Sequence, residues 1–161
     1  MRKQQEFIEL IKENEGIIFK VTLVYSFKEE DQKDLYQEIV YQLWKSFGSF
    51  RGDSKISTWM YRIALNTSIT YLKKEKKKGN SVPIDDVLLH RIEHIDTIME
   101  ERIKILHDHI KELNTIEKGV ILLYLEGKSY DEIGSITGFT SSNVGTRLNR
   151  IKQKLKSQIN K

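Results

Sequence analysis

The sequence predicts an all-α protein. Its 161 residues contain a single proline, Pro83, so little interrupts helices over most of the chain. Apolar residues recur at helical spacing in most segments, and none shows the sustained alternation of a half-buried strand. A chain of this length can form one domain or two small ones, so the number of domains depends on where linkers occur.

Two helical regions are predicted in the first third of the chain. Apolar spacing over residues 7–25 predicts one helix or a pair of helices, with Gly16 as the weak point. A clearer helix begins at Asp31 or Gln32 and ends near Gly48. The apolar residues on its buried face are Leu35, Ile39, Leu43, Trp44 and Phe47.

A loop and a third helix follow. Glycines and an Asp-Ser pair mark the stretch GSFRGDS, residues 48–54, as a loop. Ile56, Met60 and Ile63 then begin a helical pattern that runs through Leu72 and ends in lysines. Basic residues at that end suit the negative pole of the helix dipole.

A flexible linker is predicted over residues 77–94, because this stretch holds the only proline, a Gly-Asn pair and no sustained apolar period. We therefore expect two small helical domains, residues 1–76 and 95–161. Helical spacing resumes in the second domain at Ile95, Ile98, Ile103, Leu106, Ile110, Leu113, Ile116, Val120, Leu123 and Tyr124.

A helix-turn-helix is predicted in SYDEIGSITGFTSSNVGTRL, residues 129–148. Ser129 and Glu132 have the S-x-x-E spacing of a capping box, which satisfies backbone donors at a helix start. Gly138 suits the left-handed conformation that ends a helix, and Gly134 offers a small surface for close packing of the next helix. The isoleucines of this first helix are expected to face inward.

The second helix of the motif is predicted to take Thr140 as its N-cap, with Phe139 packing against Val144. Its buried face runs at helical spacing from Val144 to Leu155. An ordinary helical hairpin with a basic, solvated face is the alternative interpretation. The outward side chains are of types that hydrogen-bond base edges or phosphates, and they are Ser142, Asn143, Thr146, Arg147, Asn149 and Arg150.

Charge is unevenly distributed along the chain. The net charge is only +4, but residues 140–161 carry six basic side chains and no acid, which suits a phosphate-facing surface. Residues 29–46 carry five acids against two lysines and need a different partner.

The absence of cysteine excludes disulfides and cysteine-ligated zinc, and no apolar run is long enough to span a bilayer. These features favour a cytoplasmic protein without membrane insertion.

Two segments read together resemble the extracytoplasmic-function (ECF) sigma factors of bacteria. They are DLYQEIVYQLWKSFGSFRGDSKISTWMYRIALNTSITYLKK (34–74) and LNTIEKGVILLYLEGKSYDEIGSITGFTSSNVGTRLNRIKQKLK (113–156). The resemblance implies a region 2-like bundle over residues 1–76 and a region 4-like helix-turn-helix domain over 95–161. It also implies a subunit that binds core RNA polymerase, directs it to promoters and helps to melt them, with no catalysis and no cofactor of its own.

The resemblance further implies which residues bind polymerase. The D-x-x-Q-E pattern of the second helix corresponds to Asp34, Gln37 and Glu38, which in the family dock on the clamp coiled coil of the β′ subunit. The family's other partners, the β flap of polymerase and an anti-sigma factor, are expected as well. Solvated surface charge is the alternative for Asp34 and Glu38.

For promoter DNA the resemblance implies two contact regions. The loop SFRGDSKIS is similar to the family's pocket for a base flipped from the minus-ten element. For Phe50, packing in the protein core is the alternative to contact with the flipped base. For Trp59, core packing is the favoured interpretation. The lysines at the end of the next helix are either contacts to DNA phosphates or simply solvated, and they are Lys73, Lys74, Lys76, Lys77 and Lys78. The candidate pocket residues are Phe50, Arg51, Asp53, Ser54 and Lys55, with Asn66 from the next helix.

The recognition helix is implied to read the minus-thirty-five element through the six outward residues given above. Gly145 departs from the family pattern, which usually has a basic or polar side chain at this position. Glycine inside a helix costs about 0.5–1 kcal/mol relative to alanine. The usual contact is therefore not expected here, and recognition of the element is predicted to be altered or looser.

Two other functions fit parts of the sequence. HRIEH, residues 90–94, matches the H-x-x-E-H zinc-peptidase pattern, although that chemistry needs a third ligand and a substrate cleft. His107 and His109 are two residues apart and would point in different directions on a helix. A stand-alone helix-turn-helix regulator is the stronger rival, and it predicts dimeric binding to a palindromic site without polymerase.

Overall fold

The computed structural model describes residues 2–26, 28–77, 109–110 and 113–159, and the side chains of 75–77 and 159 are not described. The described regular structure is entirely helical, as the sequence predicts. The chain divides into two compact units, Met1–Val82 and Pro83–Lys161. The predicted linker from residue 78 onward lies outside the described residues, so the domain bounds stay a prediction. No described helix is long and apolar enough to cross a membrane.

The described part of the first unit forms four helices, α1 (Arg2–Glu13), α2 (Glu15–Tyr25), α3 (Glu29–Phe47) and α4 (Ile56–Lys77). Helices α2, α3 and α4 pack against one another, and α1 contacts α3. Side chains with no exposed surface fill the space between α2, α3 and α4. They include Ile18, Val21, Leu35, Ile39, Leu43, Met60 and Ala64.

The helix boundaries in this unit correct two details of the prediction. The first region is a helix pair, but the break falls at Asn14, and Gly16 lies inside α2. The side-chain amide of Asn14 donates through Nδ2 to the backbone carbonyl of Leu10 at 2.9 Å, and this bond closes the end of α1. Helix α3 begins at Glu29 rather than Asp31, because three acids in its first turn suit the positive end of the helix dipole.

Trp44 is not the core residue that the apolar spacing predicts, because 38% of its surface is exposed. It follows Leu43 on α3 and therefore lies about 100° around the helix from that buried side chain. Its ring meets the ring of Phe7 edge-on, with 5.1 Å between centroids. Helix α1 thus covers only part of Trp44.

The second unit contains α5 (Thr115–Leu125), α6 (Tyr130–Thr137) and α7 (Ser141–Ile159), which pack against one another. The described upstream residues Ile110 and Leu113 are buried, as predicted, whereas 95–106 lie outside the described part of the chain. Ile116 and Tyr124 are exposed, contrary to the prediction. The side of α5 that packs inward instead includes Glu117 and carries Val120 to Leu123.

Candidate nucleic-acid and polymerase interfaces

The first half of the helix-turn-helix is capped as predicted. The hydroxyl of Ser129 accepts from the backbone N–H of Glu132 at 3.1 Å, and the Glu132 carboxylate accepts from the N–H of Ser129 at 3.3 Å. Gly138 has φ +91° and ends α6 in the left-handed conformation. These local bonds fix where α6 begins and where the chain turns.

Gly134 permits the turn to lie directly on α6. A Cβ atom at this position would stand 2.6 Å from the carbonyl oxygen of Phe139, which is a backbone atom that cannot move aside alone. The close approach predicted for Gly134 is therefore present, and its partner is the turn just before α7. Any side chain here would push the two helices of the motif apart.

Helix α7 presents a polar face opposite its buried stripe. The hydroxyl of Thr140 accepts from the N–H of Asn143 at 3.1 Å, which confirms Thr140 as the N-cap. Val144, Leu148 and Ile151 are fully buried, and Leu155 is half-buried. Of the six predicted contact residues, five are exposed and Arg147 is half-buried, the exposed ones being Ser142, Asn143, Thr146, Asn149 and Arg150.

Arg147 is held on the flank of this face. Its Nε donates to Oδ1 of Asn143 at 2.7 Å, and its guanidinium carbon lies 4.1 Å from the centre of the Phe139 ring. An arginine has five N–H donors, and this bond uses one of them. Stacking on Phe139 and this one hydrogen bond therefore preorganise the side chain.

Gly145 faces Tyr130, a residue that sequence analysis did not single out. A Cβ atom at 145 would lie 3.3 Å from Cε2 of the Tyr130 ring, so the ring occupies the space where a side chain would begin. Tyr130 is the first residue of α6 and is 40% exposed. The only sequence signal for this pair is an aromatic residue directly after the capping Ser129.

Basic residues farther along α7 are partly engaged within the unit. Lys152 Nζ donates to the hydroxyl of Tyr124 at 3.1 Å and lies 4.3 Å from the centre of its ring. Lys154 Nζ donates to Glu117 Oε2 at 2.8 Å. Burial alone would raise the pKa of Glu117, but hydrogen bonds from Lys154 and the backbone of Asn114 outweigh it, and the pKa is lowered.

In the first unit, a groove of about 720 Å³ lies between α3 and α4. It brings together the three residues predicted to bind polymerase, all of which are exposed. Asn66, which the resemblance groups with the minus-ten loop, lines this same groove. The lining residues are Asp34, Gln37, Glu38, Tyr41, Gln42, Asn66, Thr67, Thr70, Tyr71 and Lys74.

The α3–α4 loop, residues 48–55, contains the other minus-ten candidates. Phe50 is half-buried, with its ring centroid 4.9 Å from that of Trp59. Trp59 is 8% exposed, which agrees with the packing role predicted for it. Arg51, Asp53 and Lys55 are exposed, and Ser54 is half-buried.

Several other predictions fall wholly or partly on residues that are not described. Lys73 and Lys74 are exposed at the end of α4, while the side chains of Lys76, Lys77 and Lys78 lie outside the described set. The HRIEH segment and His107 also lie outside it. Within the described residues, no three His, Cys, Asp or Glu side chains cluster as metal ligands would.

Two known protein families match the two halves of the chain. The Sigma-70 region 2 family matches residues 10–78, and the Sigma-70 region 4 family matches residues 103–155. Both units therefore correspond to conserved parts of RNA polymerase sigma factors. The two matches together favour a sigma factor over a stand-alone regulator. The helix-turn-helix alone does not distinguish these two classes of protein.

Sequence relatives of known role show to which family of sigma factors the chain belongs. The chain is 30% identical to the ECF RNA polymerase sigma-E factor of Haemophilus influenzae over 144 residues, which cover 80% of this chain and 75% of the relative. It is 29% identical to that of Escherichia coli K12 over 141 residues, covering 80% and 74%. The chain belongs to the ECF family of RNA polymerase sigma factors. It is an alternative sigma factor, which binds core RNA polymerase and promoter DNA.

Solved structures share the fold. CnrH, solved with the cytosolic domain of CnrY, has a TM-score of 0.69 at 19% identity and covers 98% of this chain and 89% of its own. The sigma factor RpoE of Bartonella quintana, solved with the anti-sigma factor NepR, has a TM-score of 0.68 at 19% identity, covering 98% and 96%. At this identity the likeness concerns the fold alone.

Proposed function

We propose that α7 reads the minus-thirty-five element of a promoter, as part of a domain over residues 95–161. The observation that carries this assignment is the division of α7 into a buried apolar stripe and an exposed polar face. Serine, threonine, asparagine and arginine on that face can bond to base edges in the major groove. The residues assigned to this contact are Ser142, Asn143, Thr146, Arg147, Asn149 and Arg150.

The N-terminal domain, residues 1–76, is assigned to polymerase through α3. Asp34, Gln37 and Glu38 are exposed along one groove, where a partner can reach all three. Two carboxylates on this surface suit a basic region of the β′ clamp coiled coil. Glu38 Oε1 accepts from Gln42 Nε2 at 3.0 Å, which orients that carboxylate.

The α3–α4 loop is assigned to the minus-ten element. Its exposed Arg51, Asp53 and Lys55 supply charge and hydrogen-bonding groups, and Phe50 supplies an aromatic ring beside them. Flipping a base costs a few kcal/mol, which stacking and polar contacts can offset. Ser54, together with Asn66 from α4, completes the set of residues assigned to this element.

We further propose partners beyond the β′ subunit. CnrH and RpoE were each solved with a second protein, CnrY and the anti-sigma factor NepR respectively. By analogy, an anti-sigma factor holds this chain away from polymerase until a signal arrives. The C-terminal domain contacts the β flap, and the factor acts in the cytoplasm without catalysing any reaction itself.

Run-off transcription tests the proposed assignments. Purified factor is added to core polymerase on a library of promoter sequences, and enriched start sites define both promoter elements. We expect Asn149→Ala and Arg150→Ala to reduce selection at the upstream element only. Asp34→Asn with Glu38→Gln should reduce holoenzyme formation on every promoter.

The controls are residues outside the assigned sites, the half-buried polar Gln158 and the exposed acidic Glu9. Gln158→Ala on α7 and Glu9→Gln on α1 should behave like the unmodified factor in the same assay. Equal losses in assigned and control variants would show that the residues have been assigned to the wrong surfaces. No start-site selection by the unmodified chain would contradict the function as a whole.

A further inference from the structure

Aromatic rings anchor the beginning of the α3–α4 loop. The backbone N–H of Phe50 donates to the carbonyl of Phe47 at 3.2 Å, forming a turn directly after α3. The rings of both residues then approach Trp59, with centroid distances of 4.9 Å for Phe50 and 6.4 Å for Phe47. One indole ring therefore receives contacts from the end of a helix and from the loop.

Trp59 is itself firmly placed. It lies in the first turn of α4, where its N–H donates to the carbonyl of Lys55 at 3.1 Å. The residues that follow it, Met60 and Tyr61, are buried, and Trp59 is only 8% exposed. Its position is thus set by the core of the unit, and Phe50 packs against it.

The ring contacts continue away from the loop. Phe47 meets Phe7 of α1 at 5.4 Å between centroids, in an edge-to-face arrangement. Phe7, Phe47, Trp59 and Phe50 thus form a series of neighbouring rings from α1 to the loop. Such pairs add to the stability gained from burial alone.

The exposed part of the loop begins directly after the anchored ring. Arg51 is adjacent to Phe50, and the chain then turns at Gly52, whose φ of +77° favours glycine. Asp53 and Lys55 follow as exposed side chains. Fixing Phe50 restricts where these groups can lie, which lowers the ordering cost when they meet a ligand.

We infer that Trp59 is a positioning residue for promoter melting: its indole ring holds Phe50 and thereby fixes the loop that receives the minus-ten strand. This inference rests on the proposed assignment of the loop to the minus-ten element. Trp59 is almost wholly buried and its ring packs against Phe50, so its effect would pass through the loop. Aromatic character at position 59 should consequently matter more for melting than for polymerase binding.

The test uses full-length Trp59→Phe and Trp59→Leu factors reconstituted with core polymerase. Open-complex formation is followed by 2-aminopurine fluorescence in the non-template strand of a promoter obtained from the run-off screen. Holoenzyme affinity is measured separately by anisotropy. Ile18→Val, which alters a fully buried residue of α2, is the control for general loss of stability.

A second set of templates separates positioning from packing. Each carries one abasic site in the non-template strand of the minus-ten element. We expect Trp59→Leu to reduce open-complex formation about fivefold on intact DNA, equivalent to roughly 1 kcal/mol. It should cause no further loss where the flipped base is missing, and Trp59→Phe should restore most of the activity. Holoenzyme affinity should stay within about twofold in both variants, a difference of roughly 0.4 kcal/mol.

Equal losses on intact and abasic templates, or an equal effect of Ile18→Val, would overturn the positioning role. If Phe50→Ala, Arg51→Ala and Asp53→Ala all leave melting unchanged, the loop assignment itself is wrong, and the inference falls with it. If Trp59→Leu fails to fold, the comparison rests on Trp59→Phe and Phe50→Leu. Phe50→Leu must then lose open-complex formation on intact templates and not on abasic ones, whereas Trp59→Phe must keep most of it on both.

Discussion

The guanidinium of Arg147 stacks on the ring of Phe139, with 4.1 Å between the guanidinium carbon and the ring centre. The two residues belong to α7 and to the turn that precedes it, so the contact ties the recognition helix to its own turn. Asn143 holds the same guanidinium from the helix side at 2.7 Å. Arg147 is therefore oriented before any DNA is bound.

We expect Phe139→Leu to weaken binding of the minus-thirty-five element about twofold to fivefold, because an exposed cation–π contact contributes about 0.5–1 kcal/mol. Holoenzyme binding to a labelled promoter duplex measures the effect. Phe139→Tyr keeps the aromatic face and serves as the control. In the Arg147→Ala background the Phe139 substitution should have little further effect, whereas full additivity would contradict the coupling.

Gly145 offers a prediction about stability. Gly145→Ala should stabilise the second unit by about 0.5 kcal/mol, because alanine favours the helix by about 0.5–1 kcal/mol and the new Cβ displaces a partly exposed ring. Thermal unfolding followed by circular dichroism measures this change. In the Tyr130→Ala background the gain should be larger, since nothing then opposes the Cβ. A loss of stability in both backgrounds would show that another neighbour opposes the Cβ.

The helix-turn-helix could be predicted closely because its signals are local. A capping serine, a left-handed glycine and an N-cap threonine each act within four residues, so spacing alone identifies them. The apolar stripe of α7 follows for the same reason. Periodicity was less accurate for α3 and α5. It predicts burial of Trp44, Ile116 and Tyr124, which are exposed. A pattern gives the direction of a buried face, but the neighbouring helices decide its width.

The candidate sites depend more on contacts between distant residues. Trp59 under Phe50 and Tyr130 beside Gly145 join different elements, and no spacing rule pairs them. Asn66 lies in the groove with Asp34 because of the way α3 packs on α4. The resemblance supplied the residue types for each site, whereas their grouping required the fold.

Glu117 predicts a pH dependence of stability. Its pKa lies below its ordinary value of 4.5, so folding is favoured by its charged form at higher pH. This contribution is present above about pH 4.5 and is lost as the pH falls through the lowered pKa. Glu117→Gln should cost roughly 1 kcal/mol at neutral pH, because the capping box and the Lys154 contact are both weakened.

Urea unfolding at pH 7 and at pH 3.5 measures this effect, and the cost of Glu117→Gln should be smaller at the lower pH. Lys154→Met is the matched control, since it removes the partner but leaves the capping bonds to Asn114. It should reproduce part of the loss at pH 7. A cost of Glu117→Gln that is the same at both pH values would contradict the role of the charge.

The acidic residues of the α3–α4 groove predict a salt-dependent interaction with polymerase. Asp34→Asn with Glu38→Gln should weaken holoenzyme formation about tenfold at low salt, because both carboxylates are exposed along one groove. The difference should narrow as salt rises, since exposed charges are screened beyond roughly 10 Å at 0.1 M. Anisotropy titrations at two ionic strengths measure it. A difference that does not change with salt would indicate altered folding instead.

A substitution at Asn66 tests whether the two functions proposed for this groove can be separated. Asn66→Ala removes a polar group without changing the charge, so we expect it to impair promoter opening more than polymerase binding. Asn66→Lys places a cation beside Asp34 and Glu38 and should weaken both, by about fivefold for polymerase through partial cancellation of the acidic surface. Thr70→Ala, on the same wall of the groove, is the control. If Asn66→Ala lowers polymerase affinity as much as it lowers promoter opening, Asn66 belongs to the polymerase-binding surface. Its position in the groove, and not the resemblance to the family's minus-ten pocket, would then indicate its role.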